Sequence, residues 1–281
     1  VMQEKCIICG SDMRFYFKKD GFYNPEMSEP IVKKLTRNLL PITYLECSCC
    51  GFSLSETHRN LSPQEWEELN NNYHHYNESA AGRNLGNQPP YLEQAMMVEL
   101  LIRNNIVDGS DILDYAAGYG TLRNIFQKYY DRNIKCYDKY VKNELLQYEC
   151  NIYNKTWPIV INSAMFEHVL TRKDLDEVNN LVSEDGALLV HTVVVERVPH
   201  DPNWFYIDIP VHTAVHTNKS MSMLMEQWGY QSSIYSPHSK TWALLRKPYK
   251  EIKPLVDKIN KELQVFWLYG KDGFMDYWKT R

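Results

Sequence analysis

The chain has 281 residues, enough for one large domain and a small one. Its hydrophobic content of 44% is that of an ordinary globular protein, and no apolar run is long enough to span a bilayer. With 31 basic and 35 acidic side chains the formal net charge is −4, which argues against a nucleic-acid partner, whose binders carry a basic excess. No secretory pattern opens the sequence, so a cytoplasmic location is expected. The 20 tyrosines and 7 tryptophans are read mainly as core packing.

Five of the seven cysteines fall in the first 50 residues, and an odd total does not make a complete disulfide framework. Cys6-Ile7-Ile8-Cys9 and Cys47-Ser48-Cys49-Cys50-Gly51 each hold a C-x-x-C knuckle. A knuckle sets two thiolates in one tight turn, and two knuckles complete a tetrahedral site. Cys6, Cys9, Cys47 and Cys50 are therefore expected to bind a structural Zn²⁺, with Gly10 and Gly51 serving the turns. The other reading is a chance cluster of reduced thiols. Cys49 reads as a bystander able to replace Cys50, and Cys136 and Cys150 as packing residues. The interval between the knuckles, with Tyr16, Tyr23 and Pro25, is expected as a hairpin or extended loop. A closed four-thiolate site has no open position, so the metal is assigned to folding a segment with little core of its own. Cover for an active-site mouth, or a partner surface, is the functional alternative for this segment.

Ser62-Pro63-Gln64-Glu65 reads as a helix start, with Ser62 as N-cap and Pro63 in the first helical position. The stretch 70–90, rich in Asn, Tyr and Gly, reads as a linker or a lid, with Tyr76 and Tyr91 as candidate covering residues. The adjacent His74-His75 point apart and are not expected to bind metal. Residues 91–104 carry apolar side chains at helical spacing.

Asp111-Ile112-Leu113-Asp114 then forms an apolar strand ending in a carboxylate, followed by Tyr115-Ala116-Ala117-Gly118-Tyr119-Gly120 and a helix from Thr121. Small residues let backbone N–H groups approach a ligand closely at a helix start. The spacing Ala116-x-Gly118-x-Gly120 lacks the G-x-G-x-x-G dinucleotide fingerprint. Ala116 stands where glycine is usual, which requires that its φ stay negative. Ile134–Asp138 reads as a second strand ending in an acid, about 20 residues after the loop, where a ribose hydroxyl is accepted. Trp157–Ser163 reads as a buried strand leading into Ala164-Met165-Phe166-Glu167-His168-Val169, and Gly186–Val194 as the next strand. The interval from Asp138 to Trp157 is too short for the usual helix, strand and loop, so adenine contacts near Cys150-Asn151-Ile152 stay open. Helices are expected over 174–182, 218–228 (closed by Gly229) and 251–269, and strands over 231–236 and 241–246.

Over residues 91–248 these motifs resemble the class I S-adenosylmethionine (SAM)-dependent methyltransferases: motif I at Asp114–Gly120, the acid at Asp138, and motif IV with its Glu-His pair at Asn162–Val169. The resemblance implies an α/β fold: a Rossmann-like seven-stranded methyltransferase sheet with a small N-terminal zinc-ribbon domain and a C-terminal helical extension. The expected divisions are 1–58 (zinc ribbon), 59–90 (helical linker or lid), 91–248 (methyltransferase domain) and 249–281 (C-terminal extension, packing on the zinc domain or on another subunit in a possible homo-oligomer). It further implies SAM as cofactor, with Asp114, Ala116, Ala117 and Gly118 at its methionine end, Asp138 at the ribose, and Ser163 and Ala164 beneath the sulfonium. A hydroxyl acceptor needs a base, and histidine serves near neutral pH. The candidates are His216, His212 and His168, in that order.

A cysteine-rich segment ahead of motif I is similar to the sugar methyltransferases of deoxysugar and surface-polysaccharide pathways. That similarity implies O-methylation of a nucleotide-linked sugar or glycan precursor, with Trp204-Phe205-Tyr206 as a stacking surface. A zinc-ribbon rRNA methyltransferase, a sugar C-methyltransferase, a non-catalytic SAM-binding protein and an NAD-dependent enzyme are the alternatives.

Overall fold

The computed structural model describes residues 4–23, 29–78, 88–141, 148–149 and 151–277. In chain order its elements are β1 (Met13–Lys19), α1 (Glu29–Thr36), β2 (Ile42–Cys47), β3 (Ser53–Ser55), α2 (Glu56–Arg59), α3 (Pro63–Glu78), α4 (Tyr91–Arg103), β4 (Ile112–Tyr115), α5 (Thr121–Tyr130), β5 (Lys135–Tyr137), β6 (Trp157–Ser163), α6 (Arg172–Asn180), β7 (Val182–His191), β8 (Val194–Val195), β9 (Ala214–Thr217), α7 (Asn218–Gln227), β10 (Ser232–Ser236), β11 (Thr241–Leu245), α8 (Tyr249–Leu263) and β12 (Tyr269–Asp272). No helix among the described residues is long and apolar enough to cross a membrane.

The chain forms two compact units. One comprises Val1–Asn87, Glu167–Asp174 and Val193–Met223; the other comprises Gln88–Phe166, Leu175–Thr192 and Leu224–Arg281. The first boundary, 87/88, lies close to the expected division at 90, and residues 167–174 and 193–223 group with the cysteine-rich segment.

In the first unit the strands run β1-β2-β3-β9-β8, antiparallel except for the β8–β9 pair. The interval between the knuckles is more than a hairpin: β1 and β2 pair from Met13↔Cys47 to Lys19↔Ile42, with α1 between them. Pro25 lies outside the described residues. The segment 193–223 is fastened to this sheet by buried polar contacts. The Tyr16 hydroxyl donates to the Val198 carbonyl at 2.7 Å, and the Tyr44 hydroxyl to the His212 carbonyl at 2.7 Å. Lys19 is fully buried, donating to Asp208 at 2.8 Å and to the Pro202 carbonyl at 3.0 Å. A buried ammonium is tolerable only when so paired.

The stretch read as a linker is helical as far as Glu78. A capping box starts α3: Glu65 N donates to Ser62 Oγ at 3.2 Å and Ser62 N to Glu65 Oε2 at 2.8 Å. Trp66, Leu69 and Tyr73, at i, i+3 and i+7, are all buried, so this helix has an apolar face that the Asn-rich composition masks. The rest of the expected lid, 79–87, lies outside the described residues.

The second unit holds a seven-stranded sheet in the order β12-β10-β11-β7-β6-β4-β5. The pairs β5–β4, β4–β6 and β6–β7 are parallel; β7–β11, β11–β10 and β10–β12 are antiparallel. In the short Asp138–Trp157 interval the described residues show one parallel bridge to β5, Cys136↔Tyr148. Cys150 lies outside the described residues, and Cys136 is a buried packing residue.

The seventh strand comes from the C-terminal region, which is not purely helical as expected. Helix α8 stops at Leu263, with Gln264 in the left-handed region (φ 54°). Asn260 then reverses the chain: its Oδ1 accepts from Trp267 N and Leu268 N, both at 3.0 Å, and its Nδ2 donates to the Leu268 carbonyl at 2.7 Å. The chain returns as β12 against β10. Helix α8 packs one face on the core of its own unit. Ile252, Val256 and Ile259, at i, i+4 and i+7, join the core made by Ala95, Val98 and Leu101 of α4, Leu122 and Phe126 of α5, and Ile112, Ile159, Ile161, Ala187 and Leu189 of the sheet. The sheet residues alternate, as one face of a pleated strand requires. Each buried Ile or Leu contributes about 1.5–3 kcal/mol relative to exposure.

Candidate active site and candidate metal centre

In the first unit, the two knuckles bring Cys6, Cys9, Cys47 and Cys50 together, with all four Sγ atoms within 4.8 Å of one another. Cys6 and Cys50 lie 3.7 Å apart, and Cys9 and Cys47 3.4 Å. A regular tetrahedron with Zn–S bonds of about 2.3 Å has edges of about 3.8 Å. The knuckles share one backbone plan. Gly10 N donates to the Cys6 carbonyl and Gly51 N to the Cys47 carbonyl, with φ of +74° and +72° at the glycines. Main-chain N–H groups of Ile8, Cys49 and Cys50 point at the sulfurs of Cys6 and Cys47 at 3.4 Å. Hydrogen bonding from Cys50 lowers the Cys6 thiol to about 5, while the same contact and burial push Cys50 up. Cys49 is exposed and outside the cluster. The donor set, spacing and N–H···S pattern fit Zn²⁺.

In the second unit, β4 ends at Asp114-Tyr115, and the loop Ala116–Gly120 leads into α5. Asp114 is 2% exposed. Ala116, Gly118 and Gly120 have φ of +66°, +52° and +78°. The expectation of a negative φ at Ala116 is therefore wrong: an L-residue occupies a conformation that suits glycine, at a cost of about 1–2 kcal/mol. The carboxylate of Asp138, buried at the end of β5, explains how the loop is held. Its Oδ2 accepts from Gly118 N at 2.9 Å, and its Oδ1 accepts from Tyr140 N and Val141 N, each at 2.8 Å. The Tyr148 hydroxyl donates to the Gly118 carbonyl at 2.6 Å, and Ala117 N donates to the Tyr137 carbonyl at 3.0 Å. Of the roughly four acceptor positions on the Asp138 carboxylate, three are filled by main-chain N–H groups.

Beside β4, β6 ends at Asn162-Ser163. Ala164 follows with φ +59°, its N–H donating to the His191 carbonyl at 2.8 Å. The Ser163 hydroxyl donates to Gln94 Oε1 at 3.1 Å. Gln94 sits on α4, only 2% exposed. Its Nε2, together with Asn162 Oδ1, is a buried polar atom without a partner among the described residues. Unpartnered buried polar groups are costly, and here both belong to side chains beside the strand end, where a polar ligand would satisfy them. Gln94 is a residue that the sequence reading overlooked. The available signal was an amide at a core-facing position of an otherwise apolar helix.

The three histidine candidates all fall in the first unit and divide into two groups. His216, on β9, is fully buried with its ring 5.0 Å from that of Phe52, and it lies outside the cluster of ligand atoms formed by Glu167, His168 and His212. His168 and His212 stand together, ring centroids 5.1 Å apart. Desolvation holds both imidazoles neutral, His168 well below its usual value and His212 at about 3. Burial does not separate the candidates, since His212 is 6% exposed and His216 0%; only His168 and His212 stand beside one another.

No family model matches the chain, and no curated protein matches it. Several solved structures do. The plantazolicin methyltransferase BpumL in complex with SAH is 12% identical, with a TM-score of 0.42, covering 76% of this chain and 99% of that one. A SAM-dependent methyltransferase from Aquifex aeolicus is 16% identical, with a TM-score of 0.36, covering 58% and 94%. Coclaurine N-methyltransferase bound to N-methylheliamine and SAH is 17% identical, with a TM-score of 0.33, covering 74% and 71%. At scores this low the likenesses carry no inference about what this chain binds.

Proposed function

We propose that the protein is a SAM-dependent methyltransferase acting on a hydroxyl of a nucleotide-linked sugar or surface-glycan precursor. The observation that carries the reading is the loop after β4: a buried carboxylate at the strand end, then Ala116, Gly118 and Gly120 in the left-handed region, braced by Asp138. Such a loop holds backbone close to a ligand at a helix start. The strand-end polar atoms fit a donor with a zwitterionic methionine end. Asp114 suits its ammonium, Gln94 Nε2 is a donor toward its carboxylate, and Ser163 and Ala164 line the adjoining floor. Among the described residues three N–H groups donate to Asp138, so a ribose hydroxyl would use its remaining acceptor position while the carboxylate orders the loop. Exposed Phe205, with Trp204 and Tyr206 beside it, supports a sugar-stacking role.

Bound SAM supplies an electrophilic methyl group. Methylation of a hydroxyl from it would break the S–CH₃ bond as an O–CH₃ bond forms, and would leave SAH and a proton to be removed. His168 and His212 are proposed to assist that proton's departure, ahead of His216. Zn²⁺ on Cys6, Cys9, Cys47 and Cys50 is proposed to be structural, all four positions being taken by thiolates.

Calorimetry with SAH and with NAD in parallel tests the donor. Binding of SAH alone is expected, and binding of NAD alone overturns the reading. Incubation with SAM and a panel of nucleotide sugars is expected to give an acceptor one methyl group heavier by mass spectrometry.

A further inference from the structure

Glu167, His168 and His212 bring one ligand atom each to within 4.8 Å of one another, in the same unit as the thiols but apart from them. Two chain segments meet there, and their register is fixed. Thr213 N donates to the Glu167 carbonyl at 2.8 Å, and the Thr213 hydroxyl donates to the Val169 carbonyl at 2.6 Å. The side chains preceding and following these clamps are therefore held beside each other.

The histidines are prepared in a particular way. His212 Nδ1 lies 2.5 Å from the Tyr206 carbonyl, an acceptor only, so Nδ1 carries the proton and the Nε2 lone pair is left outward. A backbone carbonyl fixing one ring nitrogen so that the other can coordinate is the usual outer-shell arrangement of a metal-bound histidine. His168 makes ring contacts with His212 and, at 6.2 Å, with His74, but no hydrogen bond joins the two imidazoles. Two imidazoles and a buried carboxylate converge without bonding one another. A cation would use the imidazole lone pairs and a carboxylate oxygen of Glu167.

We infer that Glu167, His168 and His212 form a second metal site, selective for a divalent transition-metal ion that accepts nitrogen and oxygen ligands, such as Zn²⁺. Two imidazoles and one carboxylate are a three-ligand set that leaves at least one position for water or an oxygen of another molecule. An oxygen on that position would be polarised by the ion. The site thus differs in kind from the closed thiolate site. A bound ion would take the lone pairs that the metal-free imidazoles offer to a proton, so in the loaded protein the pair would act through the ion and not as bases. The readout is metal content, which is independent of methyl-donor binding.

The test uses the full chain, stripped with a chelator under reducing conditions and reloaded with Zn²⁺ or Co²⁺. The wild-type protein is expected to retain two equivalents of Zn²⁺. Cys47→Ser should retain one. His168→Ala and His212→Ala should each retain only the thiolate-bound ion, with second-site affinity lower by at least about tenfold. Cobalt-loaded Cys47→Ser should show visible d–d bands without the near-ultraviolet thiolate charge-transfer band. Glu167→Gln, with the fold checked by circular dichroism, guards against loss through misfolding, and the wild-type count needs no variant at all. A wild-type protein holding one equivalent that vanishes in Cys47→Ser overturns the site. So does a second equivalent that persists in both histidine variants, which marks an adventitious ion only.

Discussion

The Asp138 carboxylate accepts a hydrogen bond from the Gly118 main-chain N–H at 2.9 Å, tying the end of β5 to the glycine loop after β4. Through Oδ1 the same carboxylate takes two further N–H groups, from Tyr140 and Val141. Asp138→Ala would leave three main-chain donors without their acceptor, in two buried bonds and one part-buried, so a loss of about 2–4 kcal/mol in urea unfolding is expected. Asp138→Asn keeps one acceptor oxygen and should lose less, about 1–2 kcal/mol. Both should weaken SAH binding in calorimetry. If Asp138→Ala weakened binding without any change in the unfolding midpoint, its bracing role would be refuted.

Ala116, at φ +66°, makes the opposite prediction to most alanine-to-glycine changes. Glycine removes about 1–2 kcal/mol of left-handed strain but adds about 0.4–1 kcal/mol of unfolded-chain entropy. Ala116→Gly should therefore be neutral to about 1 kcal/mol stabilising, whereas Ala95→Gly, inside α4, should destabilise. Paired thermal melts of the two variants check this.

Gln94 Nε2 is buried with no partner among the described residues, while its Oε1 accepts from Ser163. If that amide serves a bound carboxylate, Gln94→Leu should weaken SAH binding by about tenfold, the worth of a charge-assisted hydrogen bond. Gln94→Glu should weaken it further through like-charge repulsion. Equal SAH affinity in all three proteins would remove Gln94 from the donor site.

These residues also show what could be read from the chain. The strand–loop–helix at Asp114–Thr121 was visible because an apolar run, a carboxylate and spaced small residues are local features. The knuckles were visible because C-x-x-C is local, and the structure brings the four expected thiols together. What escaped was long-range pairing. Strand β9 pairs with β3, and its neighbour Thr213 clamps Glu167, through contacts between segments more than 40 residues apart, on which local periodicity is silent. The C-terminal helix was drawn too long because 251–269 is apolar at helical spacing past Leu263. The turn made by Asn260 is a side-chain effect that composition does not reveal. Asp138 was assigned to a ribose on spacing alone, and spacing cannot show that its oxygens already face three N–H groups.

The two knuckle glycines separate backbone strain from packing. Gly10 and Gly51 have nearly the same φ, but an added Cβ meets nothing within 4 Å at Gly10 and Thr217 Cγ2 at 3.3 Å at Gly51. Gly10→Ala should cost about 1 kcal/mol, and Gly51→Ala more. Cys47→Ser should be worse than either, because the thiolate-bound Zn²⁺ and its contribution to folding go together. Metal content and thermal melts, read side by side, should rank the three in that order.

His58 supplies a pH dependence whose sign follows from burial. Its ring is 1% exposed, with Nε2 donating to the Pro210 carbonyl at 2.8 Å and Nδ1 beside the Ser55 hydroxyl at 2.6 Å. Desolvation lowers its pKa to about 4 from an ordinary 6.5, against a small opposing effect of the Pro210 bond. Between those two values the unfolded chain binds a proton that the folded chain does not. His58 therefore favours folding in full above about pH 6.5, and that advantage is lost as pH falls toward 4, by roughly 3 kcal/mol in all. His58→Gln removes this proton from the balance. The difference in unfolding free energy between wild type and His58→Gln should shift against the wild type from pH 7 to pH 4.5, while effects of the other histidines and the thiolates cancel. A difference that stays flat over that range would mean that His58 titrates alike in both states.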